Sequence, residues 1–313
     1  MKLIGAFLKL VRLPNLFFIV LTQFLFYFCI LLPILEPLNV AIPVDKLSFI
    51  LLSLASVFIA AAGYVINDYF DVNVDQINKP QKNVVDIIVS RRWAMFWHFL
   101  LSGIGVLLSL YVSWRTGLWY IVVANLTCVF LLFGYSVSLK RKLLSGNILI
   151  SVLTAWVILI LCLSEIRLFS AVAPEIALAE QKVIRLGFLY AAFAFILSLI
   201  REAIKDMEDR EGDKKYGSRT MPIVWGLPST KIYVAVWMIV LLALLAIVQV
   251  YVLQFRWWWP VIYSIALIIL PLLYIFYKLS RASEPADFHD LSSWSKLVML
   301  TGILSMIFFF FYL

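Results

Sequence analysis

The sequence predicts an all-α, polytopic membrane protein with nine transmembrane helices. Three observations carry that expectation. Of its 313 residues 64% are hydrophobic and only 14% charged, against about 25% charged in an ordinary soluble domain. The apolar residues form long runs, each close to the roughly 20 residues that cross a hydrocarbon layer. The charges gather in short clusters between those runs.

Taken in order, the N-terminal stretch to Leu13 sets Lys2, Lys9 and Arg12 among apolar residues, the pattern of a helix lying in the membrane surface. No small-residue cleavage site follows the first apolar run, so a removed signal peptide is not expected. Pro14 leads into that run. Apolar runs at 14–35, 47–66, 93–113, 117–138, 147–164, 184–200, 231–253, 258–277 and 294–312 are the predicted spans. Segments 165–183 and 278–293 are expected to be connectors. No low-complexity tract or polar block interrupts the series, so a single domain is expected over 1–313.

Lys and Arg give the orientation. With nine spans, only Lys46, Arg115, Arg167, Lys182, Arg185 and Arg256 fall on one side of the membrane, and the rest of the 26 basic residues fall on the other. The N-terminus and the loops after spans 2, 4, 6 and 8 are therefore expected in the cytoplasm. The net charge of +8 belongs to this asymmetry, and no nucleic-acid partner is expected. Cys29, Cys128 and Cys162 each lie within an apolar run without metal-ligand spacing, which argues against a zinc or redox centre. His98 is expected at the membrane interface and His289 in a loop.

Two segments carry chemistry. The first reads Asn67-Asp68-Tyr69-Phe70-Asp71-Val72-Asn73-Val74-Asp75, with Lys79-Pro80 just beyond. Asp68, Asp71 and Asp75 stand at i, i+3 and i+7, which is one face of a helix. The second reads Lys205-Asp206-Met207-Glu208-Asp209-Arg210-Glu211-Gly212-Asp213, and Asp206, Asp209 and Asp213 repeat the spacing. One such segment would pass for a solvated helix end. Two copies with identical spacing, after equivalent spans and on one side, are better explained by bound cations, because clustered carboxylates repel and are costly near lipid. Oxygen donors without His or Cys point to Mg²⁺ or Ca²⁺, and neither segment has the alternate-position ligands and central Gly of a Ca²⁺ loop. Mg²⁺ takes few carboxylates together with waters and substrate phosphates. With no P-loop or GxGxxG present, a diphosphate on a lipid tail is the expected substrate.

Asn67-Asp68-x-x-Asp71-x-x-x-Asp75 with Lys79-Pro80 resembles the first motif of the UbiA superfamily of membrane prenyltransferases, and Lys205-Asp206-x-x-Asp209-x-x-x-Asp213 resembles the second. The resemblance covers nearly the whole chain. It implies nine helices around a central cavity and Mg²⁺-dependent transfer of a prenyl group from its diphosphate to a lipophilic acceptor. Carried onto this sequence, it makes Asn67, Asp68, Asp71, Asp75, Asp206, Asp209 and Asp213 the metal-binding residues, with Asp71 and Asp209 central to catalysis. Arg12-Leu13-Pro14-Asn15 is similar to the family's approach to its first span. Tyr135, Lys140 and Gly146-Asn147 are similar to its loop between spans 4 and 5. Arg12, Asn15, Lys79, Tyr135, Lys140 and Lys205 are thus the expected substrate-binding residues. After Lys79-Pro80 the sequence departs from the family's Pro-Ser-Gly turn and reads Gln81-Lys82-Asn83-Val84-Val85, so Lys82, Arg91 and Arg92 are the charges on offer there. The motif wording is closest to the branch acting on geranylgeranylglyceryl phosphate. Prenylation of an aromatic quinone precursor is the alternative within the family, and a transporter with a carboxylate-lined site is the alternative outside it.

Overall fold

The computed structural model describes residues 2–38, 42–78, 84–165 and 173–312, without the side chains of Lys2 and Leu3. Among the described residues there is no strand, only an isolated bridge between Val85 and Val89. A short helix α1 (Lys2–Leu10) precedes the first long one. Among the described residues nine helices are long and apolar: α2 (Leu13–Leu38), α3 (Lys46–Asn78), α4 (Arg91–Thr116), α5 (Tyr120–Val137), α6 (Ser145–Ser164), α7 (Pro174–Glu208), then α8 (Gly226–Leu253), α9 (Trp258–Arg281) and α10 (Pro285–Tyr312). Eight of these contain their predicted span, and α5 is slightly shorter than its predicted 117–138 because the chain turns at Gly117, in the left-handed region at φ 76°. The chain is thus an integral, multi-pass membrane protein.

Helices outrun the apolar runs at several ends. The expected connector 165–183 is helical from Pro174 onward, and 278–293 is helical up to Arg281 and again from Pro285. Proline at the first helical position suits both starts. At α10, Glu284 accepts the backbone N–H of Asp287 while the Asp287 carboxylate accepts the backbone N–H of Glu284. His98, expected at the interface, is buried, and its Nδ1 lies 3.0 Å from the carbonyl of Ala62. His289, expected in a loop, is on α10 with Nδ1 2.8 Å from Glu208 Oε1.

Two helices widen where proline demands it. In α2 the turn Phe26–Leu31 is π-helical, and the Leu32 N–H reaches back to Tyr27 O just before Pro33. In α9 the turn Ile265–Ile269 does the same ahead of Pro271, the Leu270 N–H reaching Ile265 O. Proline has no N–H for the carbonyl four residues back and crowds it, and a π-turn relieves the crowding. The carbonyl that Pro271 cannot serve is that of Leu267. The Thr301 hydroxyl of α10 donates to it at 2.8 Å, which satisfies the group without water.

The chain divides into two compact units. Unit 1 comprises Met1–Phe24, Ile34–Lys140 and Val157–Ile184; unit 2 comprises Leu25–Pro33, Arg141–Trp156 and Arg185–Leu313. In unit 1, α4 packs tightly on α3 at Gly105, where a Cβ would come within 2.7 Å of Ile59 Cγ1 and 3.1 Å of the Ala55 carbonyl. Small residues at such contacts let membrane helices approach closely. Gln23, fully buried, accepts from Ser53 Oγ at 2.7 Å and donates to Ser56 Oγ at 3.2 Å and the Val157 carbonyl at 3.1 Å. In unit 2, Ile200, Ala203, Ile204 and Met207 of α7 join a core with Met238 of α8, Leu272 and Ile275 of α9, and Phe288 and Leu291 of α10. That core fixes the C-terminal turns of α7, where the second acidic segment begins.

Candidate functional site

In unit 1 the first acidic segment lies entirely on α3, whose helix continues unbroken to Asn78. The expected face is realised. Arg12, at the junction of α1 and α2, places its guanidinium 2.6 Å from Asp68 Oδ1 and 5.1 Å from the centre of the Tyr64 ring. Arg12 adopts a left-handed backbone conformation, with φ of 53°, uncommon for a residue with a Cβ. Its backbone carbonyl accepts the N–H of Asn15 at 2.8 Å. Desolvation works against the Arg12 charge, but Asp68, with Asp75 farther off, more than offsets it and holds the guanidinium above its ordinary range.

One turn along, Lys140 Nζ lies 2.6 Å from Asp71 Oδ1 and 3.2 Å from Asn67 Oδ1. Asn67 Nδ2 donates to Asp71 Oδ2 at 2.8 Å. Both oxygens of Asp71 are thus engaged. Arg12 and Lys140, the expected partners of substrate phosphates, are paired here with Asp68 and Asp71 of the first carboxylate cluster. Tyr135 is half-buried on the last turns of α5, five residues before Lys140. Lys79 and Lys82 lie outside the described residues.

The second segment, in unit 2, is built differently. Helix α7 ends at Glu208, Asp209 sits at φ −90° and ψ 6°, and a separate short helix, Arg210–Lys215, follows. Helical spacing survives the break, because Asp209 N–H reaches Lys205 O at 2.9 Å and Asp213 N–H reaches Asp209 O at 3.2 Å. Asp206 Oδ2 accepts from Asn147 Nδ2 at 2.9 Å, and among the described residues Asp206 forms no ion pair. Lys205, expected at the substrate, is turned toward Glu202, with Nζ 3.2 Å from Oε2. Arg201 also pairs with Glu202, at 2.9 Å, while its Nε and the buried Thr220 hydroxyl have no partner among the described residues.

Two loops of unit 2 are fastened together around this segment. The Arg219 N–H donates to the Arg141 carbonyl at 2.7 Å, and the Ser218 N–H to the Asp213 carbonyl at 2.9 Å. These loops carry Lys142, Lys214, Lys215 and Arg219, all exposed and with side chains unpaired among the described residues. Asn147 was legible only as part of a resembling Gly146-Asn147 pair, and nothing in the sequence pointed to its bond with Asp206.

Among the described residues no three carboxylate, His or Cys groups already converge as a metal cage. The donor set still suits Mg²⁺, which needs few protein oxygens when waters and phosphates complete its shell. Asp206 Oδ1 is not engaged by any described residue. In unit 1 the protein's own cations hold the carboxylates.

Comparison with known proteins identifies the chain. The profile of the UbiA prenyltransferase family matches residues 38–297. A digeranylgeranylglyceryl phosphate synthase of Methanosphaera stadtmanae is 28% identical over 259 residues, covering 82% of this chain and 86% of that protein. One of Pyrococcus horikoshii is 35% identical over 184 residues, covering 59% and 58%. The solved structure of a UbiA homologue from Archaeoglobus fulgidus bound to GPP and Mg²⁺ is 17% identical and shares the fold, with a TM-score of 0.55 over 96% of this chain and 99% of that one. With its family profile spanning most of the sequence, this chain belongs to the UbiA prenyltransferase family and is a membrane-embedded enzyme that transfers prenyl groups.

Proposed function

We propose that the enzyme transfers a geranylgeranyl group from its diphosphate to geranylgeranylglyceryl phosphate, with Mg²⁺ bound. The observation that carries this reading is in unit 2. Exposed Lys142, Lys214, Lys215 and Arg219 stand on the two fastened loops that follow α5 and α7, the second of which carries Asp213 just beyond the end of α7 that bears Asp206. A phosphate-bearing acceptor has use for such cations, and a neutral aromatic acceptor has none. The names of the archaeal relatives support the same acceptor.

Asp206, Asp209 and Asp213 would hold one ion, and Asn67, Asp68, Asp71 and Asp75 another, each directly or through water. Bound Mg²⁺ supplies Lewis acidity toward the diphosphate. In the reaction the bond between the allylic carbon and the diphosphate oxygen breaks, and the diphosphate leaves with the electron pair. The acceptor hydroxyl oxygen forms the new carbon–oxygen bond and gives up its proton to the departing diphosphate. Lys140 and Arg12, held by Asp71 and Asp68, are placed to share their charge with incoming phosphate oxygens. Apolar helices keep water from the allylic carbon, which would otherwise be captured by it. The Asp-rich segments and the N-terminus face the cytoplasm in this reading, as the distribution of basic residues supports.

Mass-spectrometric analysis of lipid products tests the proposal, using purified enzyme, several prenyl diphosphates and a panel of acceptors. A digeranylgeranylglyceryl phosphate product, formed only with Mg²⁺, is expected. Prenylation of an aromatic ring with no reaction at the glyceryl phosphate would overturn the acceptor assignment.

A further inference from the structure

Unit 1 carries a groove beside the first acidic segment that is lined by other residues. Tyr69 of α3 and Arg91, Arg92, Met95, Phe96 and Phe99 of α4 line an open space of about 470 Å³. None of the carboxylate-cluster residues contributes to it. The groove has a charged head and an apolar wall. From Arg91 to Phe99 the helix rises about 12 Å, with Met95, Phe96 and Phe99 below the two arginines. Phe96 is 49% and Phe99 65% exposed, as suits side chains that face lipid.

The head is prepared for an anion. Arg91 Nε donates to Asp86 Oδ2 at 2.7 Å, which fixes the guanidinium of this exposed side chain through one of its three nitrogens. Asp86 itself is held in a left-handed turn, with φ of 67°, by the tight segment whose N–H and carbonyl groups join Val84, Asp86 and Val89. Arg92 is exposed and makes no hydrogen bond or ion pair among the described residues. Beside them Ile87, Ile88 and Trp93 are 65%, 51% and 57% exposed, an apolar rim at the end of a membrane-spanning helix. Lipid phosphates lie at that depth.

We infer that this groove is a binding site for an anionic membrane lipid of the surrounding leaflet. Arg91 and Arg92 hold its phosphate, and Met95, Phe96 and Phe99 hold the upper part of a chain. A free anion would use the head alone. A zwitterionic lipid would bring a cation beside two guanidinium groups. Only a phosphate-headed lipid of net negative charge matches both the head and the wall.

Native mass spectrometry of the full-length protein released from detergent micelles, titrated with phosphatidylglycerol or phosphatidylcholine, tests the inference. The wild type is expected to retain phosphatidylglycerol at least tenfold more tightly than phosphatidylcholine. Arg92→Gln, an exposed change that leaves the Arg91–Asp86 pair intact, is expected to remove most of that preference. The double variant Phe96→Ala, Phe99→Ala is expected to weaken both lipids, and excess inorganic phosphate is expected not to displace them. Lys182→Gln with Arg185→Gln removes more charge elsewhere and should leave retention unchanged. Equal retention by Arg92→Gln and wild type, an equal loss in the Lys182/Arg185 control, or displacement by inorganic phosphate would each overturn the site.

Discussion

The two acidic segments share one sequence spacing and differ in how the fold treats their charge. In unit 1 the helix is continuous, and the protein supplies cations of its own: Arg12 at Asp68 and Lys140 at Asp71. In unit 2 the helix breaks at Asp209, and Asp206 rests on the neutral amide of Asn147 while Lys205 is spent on Glu202. Identical spacing therefore does not mean identical electrostatics. The first segment is self-neutralised until something displaces its cations, whereas Asp206 leaves a carboxylate oxygen open. Mg²⁺ should accordingly meet the second segment more readily than the first.

The largest effects should come from removing the central carboxylates. Asp71→Asn and Asp209→Asn should each lower turnover at least a hundredfold, about 3 kcal/mol in the barrier, with the circular dichroism of the fold unchanged. Near-native rates in both at saturating Mg²⁺ would break the two-segment mechanism.

Lys140 sharpens the comparison further. Deleting it leaves Asp71, half-buried, without its cation, and one-sided loss of a buried pair costs about 3–5 kcal/mol when burial is complete. With these side chains 10% and 19% exposed, we expect Lys140→Gln to cost less, about 1–3 kcal/mol of stability in a thermal melt without Mg²⁺. The same variant should bind Mg²⁺ several-fold more tightly by calorimetry, because a competitor is gone. Asn147→Ala should show no such gain. Equal Mg²⁺ affinities in the two variants would remove the distinction between the segments.

Next in size is the acceptor's phosphate. Substituting Lys142, Lys214, Lys215 or Arg219 by Gln should raise KM for the glyceryl phosphate acceptor more than for the prenyl diphosphate. A charge-assisted contact is worth about 1–3 kcal/mol, so roughly tenfold or more is expected at the residue that makes it. Uniform indifference across the four, measured by steady-state kinetics, would move the acceptor's phosphate elsewhere in the enzyme.

The smallest effect belongs to the opposite end of α3. Asp45 accepts the Ser48 N–H at 2.9 Å and pairs with Arg115 at 2.7 Å. Ser48, through its side chain and its N–H, and then Arg115 hold the Asp45 carboxyl down at about 2, from an ordinary 3.8. A depressed folded value means that the contribution is complete above pH 3.8 and is lost as pH falls toward 2. Because the side chain is 47% exposed, solvent screening should keep the gain well under that of a buried pair. Asp45→Asn should flatten the acid limb of a stability curve between pH 4 and 2 only slightly. A large change there would mean that the exposed end of α3 is bound more strongly than the pair at Asp71.

The nine long apolar helices among the described residues were legible because the hydrocarbon layer demands long apolar runs. Their ends were not, because hydropathy reads contact with lipid rather than helix. Glu175, Glu180 and Lys182 therefore hid the first turns of α7. Carboxylate spacing on α3 could be read from period alone. What neutralises those carboxylates could not, since Arg12 is 56 residues from Asp68 and Asn147 is 59 from Asp206. A local pattern carries no sign of a partner across two helices. Lys205 illustrates the same limit, because its adjacency to Asp206 in sequence gives no sign of its contact with Glu202 on the preceding turn of α7.

Those long-range contacts also impose a parity rule on the chain. Arg12 and Asp68 enclose α2 and most of α3, Asp71 and Lys140 enclose α4 and α5, Asn147 and Asp206 enclose α6 and α7, and Glu208 and His289 enclose α8 and α9. Every one of these bonds is closed by two crossings. A helix that failed to insert would leave its two partners at opposite boundaries of a layer about 30 Å thick, where neither a hydrogen bond nor an ion pair can form. Each polar contact thus acts as an error check on the hairpin before it, and a miscounted crossing strands a charge.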